Sequence, residues 1–181
     1  MLLIDVGTLE APKLAADVGR EVVAKAAGAD LAAIVVRRDR GEAVAVMTKG
    51  APIVLADLQR QGRIDGVISL GGGGGTAICT SAMRALPVGF PKLMVSTLAS
   101  GNTAPYVGVK DIVMMPSVVD VAGLNRLSRQ LLAQAAGAIC GMVEARVPAG
   151  APDRPVIVAS QFGNTTACVT AARQILEAAG Y

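Results

Sequence analysis

Short apolar runs alternate along this chain with stretches in which apolar residues return every three or four positions, and that alternation predicts strands interleaved with helices. Leu2 to Val6 reads as a buried strand closed by Gly7-Thr8 and a loop through Pro12. Asp17 can cap a helix that runs to about Ala27 and stops at Gly28. A further helix starts at Asp39-Arg40-Gly41-Glu42, and its apolar spacing continues to Leu58, with Gly50 and Pro52 expected to divide it into two pieces. Ile64 to Leu70 is the next strand, and a helix from Thr76 to Leu86 follows it. Strands at Lys92 to Ser96 and Asp111 to Met115 are separated by a loop rich in Ser, Gly, Asn and Pro, long enough to suggest a role of its own. From Gly123 to Val143 a helical period returns in Leu124, Leu127, Leu131, Leu132, Ala135 and Ile139. Pro155 to Ser160 then reads as a strand, and Thr165 to Ala179 as a helix ending at Gly180.

This order predicts an α/β fold, a Rossmann-like doubly wound parallel sheet, with the beginning of a second Rossmann-like half. Residues 1–145 form the first domain, 146–154 the linker around Pro148 and Pro152, and 155–181 the opening βα unit of the second half. The composition agrees. It is 52% hydrophobic but only 2% aromatic, so the core must be made of Val, Ile, Leu, Ala and Met in thin layers, as helices on a parallel sheet require.

Charge and reactive residues narrow the function. The net charge of +3 comes from scattered Lys and Arg with no basic stripe, which leaves no footprint for nucleic acid. Cys79, Cys140 and Cys168 lie far apart without CxxC spacing, as expected of reduced thiols in the cytoplasm, and a zinc site is not expected. With no histidine in the chain, any catalysis must use carboxylate, hydroxyl, Lys or backbone groups. Met1 to Ile4 is too short for a signal or a membrane span, and no later run qualifies, so a soluble protein is expected.

The candidate chemistry gathers where strands end, as ligands do in such sheets. Ser69-Leu70 leads into Gly71, Gly72, Gly73, Gly74 and Gly75 and then Thr76, a strand–glycine–helix junction. Glycines there can take positive φ and let free N–H groups approach an anion, phosphate above all. The junction lacks the GK[ST] of a Walker loop and does not complete GxGxxG, and a tight turn of closely packed glycines is the alternative. The next strand ends in Ser96-Thr97-Leu98-Ala99-Ser100-Gly101-Asn102, small donors suited to phosphate or ribose, or to turns of their own. Asp120 either caps the long helix or reaches Mg²⁺ through water, with Asn125 beside the same helix start. Arg126 is a candidate phosphate contact or a solvated surface residue, and Lys92 and Lys110 are weaker candidates. Phe162-Gly163-Asn164-Thr165-Thr166 repeats the junction, either facing the same ligand or capping its own helix.

Taken together, Gly66 to Leu70 with its glycine run, Ala82 to Pro87, Pro91 to Thr97, Ala104 to Gly108 and Asp120 to Arg126 resemble the Tm-one-like ATP-binding domain family. That family comprises bacterial and fungal proteins and the N-terminal domain of a plant tobamovirus-resistance protein. The resemblance covers nearly the whole chain and is densest from Gly62 to Val143. It implies ATP, with or without Mg²⁺, held between two Rossmann-like halves, with Gly71 to Thr76, Ser96, Thr97, Ser100 to Asn102 and Phe162 to Thr166 around the cleft. It also implies that a first βα unit with a GTxDTK-like loop precedes Leu2 and that the second half continues past Tyr181. Where the family loop commonly reads GGSGGT, this chain has Gly73 in the serine position.

Three functions are compatible with these residues: nucleotide or phosphate-ligand binding, a protein-interaction module with regulatory ATP, and an enzyme acting on a phosphosugar or sugar acid. Missing neighbours would leave apolar surface uncovered, so a homo-oligomer or a companion chain is expected.

Overall fold

The computed structural model describes residues 1–8, 12, 14–146 and 155–181. It divides into two compact units, residues 1–145 and 146–181.

The first unit is built on three parallel strands, β1 (Val67–Gly71), β2 (Lys92–Ser96) and β3 (Val113–Pro116), in the order β1-β2-β3. Val67 pairs with Lys92 and Gly71 with Ser96, while Leu93 pairs with Val113 and Ser96 with Pro116, so all three strands finish side by side. β2 is buried along its whole length, as a central strand must be. Its side chains alternate between two layers. Met94 joins Cys79 and Met83 of helix α4 (Gly73–Arg84), whereas Leu93 and Val95 join Ala135 and Ile139 of α6 (Arg126–Glu144) on the other face. Behind α4 lies a second helical layer, α1 (Arg20–Ala26), α2 (Leu31–Arg37) and α3 (Arg40–Arg60), packed through Val23, Leu31, Met47 and Leu55 against Ile78 and Leu86. A short helix, α5 (Ala104–Val107), sits in the connection from β2 to β3. This is a helix-flanked parallel sheet of Rossmann-like kind, its buried core made of aliphatic residues, Met and Cys, with Phe90 packed against its edge.

Several expectations are corrected. The Leu2 to Val6 run forms no ladder; its one β-contact is an isolated parallel bridge between Ile4 and Val18. Asp17 does not cap α1, whose N-cap is Gly19; its carboxylate accepts the Leu3 N–H instead, at 2.7 Å. Helix α2, not expected at all, is capped by Asp30. Gly50 and Pro52 do not divide α3, which runs unbroken for 21 residues. Tertiary packing accounts for this. A Cβ on Gly50 would lie 1.9 Å from the Val23 carbonyl oxygen, so glycine is what lets α1 and α3 touch. Pro52 has no N–H for the Thr48 carbonyl, and Ser81 Oγ from α4 donates to that carbonyl at 3.1 Å.

In the second unit Pro155 to Ser160 forms no strand, because no neighbouring strand among the described residues offers it a ladder. A 3-10 turn, Gly163–Thr165, leads into α7 (Thr166–Ala178). Of the expected linker, residues 147–154 lie outside the described residues.

Candidate functional site

Where β1, β2 and β3 end, the chain changes from satisfied ladder to unsatisfied backbone. Gly71 is the last residue of β1, Gly72 is the N-cap of α4, and Gly73, Gly74 and Gly75 are its first turn. The run is therefore a helix start rather than a loop, and none of its five glycines has positive φ. Space explains the composition instead. A Cβ on Gly71 would meet the Gly75 backbone at 2.9 Å, one on Gly74 would press Val44 at 3.4 Å, and one on Gly73 would meet nothing within 4 Å. The open side is thus at Gly73.

No side chain caps this helix, and its first internal bond runs from Thr76 N–H to Gly72 O at 2.8 Å. The N–H groups of Gly73, Gly74 and Gly75 consequently have no acceptor among the described residues. Together with the helix dipole they present a partial positive charge of roughly half a proton at the ends of the strands.

Beneath this turn the hydroxyls are committed. Thr76 and Ser96, both fully buried, share a 2.7 Å hydrogen bond, and Ser96 Oγ also accepts the Leu98 N–H at 3.0 Å. Thr76 Oγ1 lies 3.4 Å from Gly71 O, and Thr97 N–H donates to the same carbonyl at 3.2 Å. These bonds fasten the α4 start to the end of β2. Thr97, by contrast, whose Oγ1 lies 3.7 Å from where a Gly72 Cβ would stand, lines a cleft of about 640 Å³. Ser96, Thr97, Ser100, Ser117 and Asp120 line that cleft.

Its far wall is strained. Val118, a β-branched residue, has φ 61°, and Val119 N–H donates to Ser117 O at 2.6 Å across it, closing a γ-turn. Ser117 Oγ braces the turn by donating to Val119 O at 2.7 Å. Such a conformation costs about 1–3 kcal/mol and persists only where its surroundings hold it.

The remaining candidates are placed as follows. Asn102 accepts the Ala104 N–H and so starts α5, and Gly101 closes a turn onto Leu98 O. Asp120 does not cap α6; Asn125 does, in a reciprocal capping box with Ser128, which leaves Asp120 exposed on the cleft. Arg126, the first residue of α6, is exposed. Lys92 and Lys110 lie at the opposite end of the sheet and are structural. Lys92 is fully buried, donates to Pro87 O and Phe90 O at 2.7 Å each, and pairs with Asp111 at 2.9 Å. Burial works against the Asp111 charge, yet the Lys92 ammonium and the Gly89 N–H outweigh it and hold that carboxyl below its ordinary value. Lys110 donates to Leu86 O at 3.0 Å. In the second unit, Thr165 and Thr166 donate to Phe162 O at 3.0 and 3.3 Å and Thr165 Oγ1 accepts the Phe162 N–H at 2.9 Å, while no side chain caps α7. Burial pushes the Cys79 thiol up, against a hydrogen bond from Ser69, so it is no ready nucleophile.

Sequence reasoning missed the Val118 turn, for which the residues give no signal, and the apolar recess beside Asp120 described below. Among the described residues no cluster of His, Cys, Asp and Glu is arranged to hold a metal, and no helix is long and apolar enough to cross a membrane.

Residues 1–148 match the profile of an uncharacterised protein family, UPF0261, over its N-terminal domain. A UPF0261 protein of Clostridium tetani is 47% identical over 180 residues, covering 99% of this chain and 45% of that protein. One from Mesorhizobium japonicum is 52% identical over 169 residues, 92% of this chain and 41% of that protein. The ToMV resistance protein Tm-1 of Solanum lycopersicum is 40% identical over 147 residues, 78% of this chain and 20% of that protein. The chain thus spans less than half the length of these relatives.

Proposed function

Since this chain belongs to the UPF0261 family through its N-terminal domain, we propose that the glycine-lined end of its sheet binds a phosphate-bearing small molecule, and that ATP is the ligand. One observation carries this reading: three consecutive amide donors, Gly73 to Gly75, without an acceptor among the described residues, beside a space at Gly73 that none of their side chains fills. Phosphate oxygens satisfy such donors at a helix N-terminus without any cationic side chain. Thr97 and Ser100, which line the adjoining cleft, supply hydroxyls of the kind that bond ribose or further phosphate oxygens. Among the described residues a single carboxylate, Asp120, lines that cleft, so Mg²⁺ here depends on the nucleotide's own phosphate oxygens for most of its ligands.

Thermal unfolding in the presence of ATP, ADP, a sugar phosphate and inorganic phosphate tests this. A ligand at about 100 times its Kd adds roughly 2.7 kcal/mol. ATP and ADP are expected to raise the midpoint most. A response confined to the sugar phosphate would move the site to the phosphosugar reading, and no response to any of the four would remove the proposal.

A second reading, an interaction module that uses nucleotide for switching, is favoured by the name of the tomato relative, a virus-resistance protein, and by the sheet's edges. β1 and β3 are edge strands, and Ile68 and Val113 on them are exposed. A second copy of the chain pairing along an edge would take up the backbone N–H and C=O groups left open there. Light scattering at micromolar concentration checks this, a monomer counting against it.

A further inference from the structure

Beside the polar cleft lies a smaller recess of about 230 Å³ with a different chemistry. The two share Ser117, Val119 and Asp120, but the recess is walled by Leu70 and Val95 of the sheet and by Leu124, Leu131 and Leu132 at and within α6. Its hydroxyls are already used. Ser128 Oγ accepts the Asn125 N–H at 2.8 Å and donates to Asn125 O at 3.2 Å, and Ser117 Oγ donates to Val119 O. The one side-chain polar group on its wall left uncommitted is the Asp120 carboxylate, which no hydrogen bond or ion pair engages among the described residues.

From this we propose that the recess is a second ligand site, separate from the phosphate site, for a small aliphatic molecule bearing a hydroxyl or an amine. The apolar body lies against Leu124, Leu131 and Leu132, and the polar end donates to Asp120. The chemistry excludes the alternatives. An ionised carboxylate only accepts, so it selects a donor and repels an anion. The shared rim puts the polar end of such a molecule next to whatever fills the larger cleft.

Three probes with one apolar body separate the possibilities: 1-hexylamine, 1-hexanol and hexanoate, titrated without nucleotide or Mg²⁺ into the full chain carrying labelled leucine methyls. The amine and the alcohol are expected to move the Leu124, Leu131 and Leu132 methyl signals saturably, and hexanoate to bind more weakly than the amine. Asp120→Asn is expected to cut hexylamine affinity by about fivefold, the scale of an exposed charge pair, and to change hexanol by less than about twofold. Gly73→Asp should leave all three titrations unchanged, so failure of the phosphate reading does not touch this one. Leucine methyls that none of the probes moves, or hexanoate binding as tightly as hexylamine, would overturn it.

Discussion

The two ends of the parallel sheet are opposites. At the end where β2 begins, a fully buried ammonium is surrounded by two carbonyls and a carboxylate, the same carboxylate also accepts the Gly89 N–H, and a second lysine closes on Leu86 O. Where the strands finish, three amides of α4 point at space, Asp120 has no partner among the described residues, and a valine is held at positive φ. Both ends are polar, so polarity does not mark the site. The first end satisfies its own charges and makes structure; the second leaves donors and an acceptor unmade among the described residues, and on that difference the proposed ligand site rests.

The largest effect should come from the closed end. Lys92→Ala strands the Pro87 and Phe90 carbonyls and Asp111, and is expected to cost about 3 kcal/mol in denaturant unfolding, the low end for a buried pair because Asp111 is 39% exposed. Phosphate affinity of the folded fraction should not change. At the open end Gly73→Asp should reverse that pattern. A carboxylate on the first helical turn stabilises the ligand-free protein by about 0.3–1 kcal/mol, yet occupies the amides and should lower phosphate affinity at least about tenfold by calorimetry. Equal losses of stability and binding in both variants would erase the distinction between the ends. Between them, Ser81→Ala leaves the Thr48 carbonyl without its donor and should cost about 1 kcal/mol with binding intact. The smallest effect is in pH. Asp111 titrates below its unfolded value, so its contribution is complete above the ordinary carboxylate range near about pH 4 and is lost as pH falls through the lower folded value. Melting curves of wild type and Asp111→Asn should therefore converge on acidification and differ by a constant amount above about pH 5.

How much of this was legible in the residues follows from what each element depends on. β2 was read at its observed bounds because its apolar run and flanking Pro91 and Thr97 are local signals. Leu2 to Val6 and Pro155 to Ser160 carry the same kind of signal but form no ladder, since strand pairing depends on a neighbour that a single segment does not encode. The continuity of α3 rests on a contact with Val23 and a hydroxyl from α4, both distant in sequence. For the site, the glycine run located the amides, but it was read through positive φ. Helical glycines packed against Gly71 and Val44 serve instead, a matter of tertiary space rather than of backbone freedom. Thr76 and Ser96 were legible as polar neighbours of the glycines; that their hydroxyls bond each other follows from the pairing of β1 with β2, which brings residues twenty apart together.

The most direct test is to watch the amides themselves. In a nitrogen-edited spectrum with assigned glycines, titration of ATP or inorganic phosphate is predicted to move the Gly73, Gly74 and Gly75 N–H signals downfield together and saturably, and Gly73→Asp to abolish the movement. If those three signals stay fixed while ligand binds, or shift no more than the glycines of α6, the helix start is not where the phosphate sits.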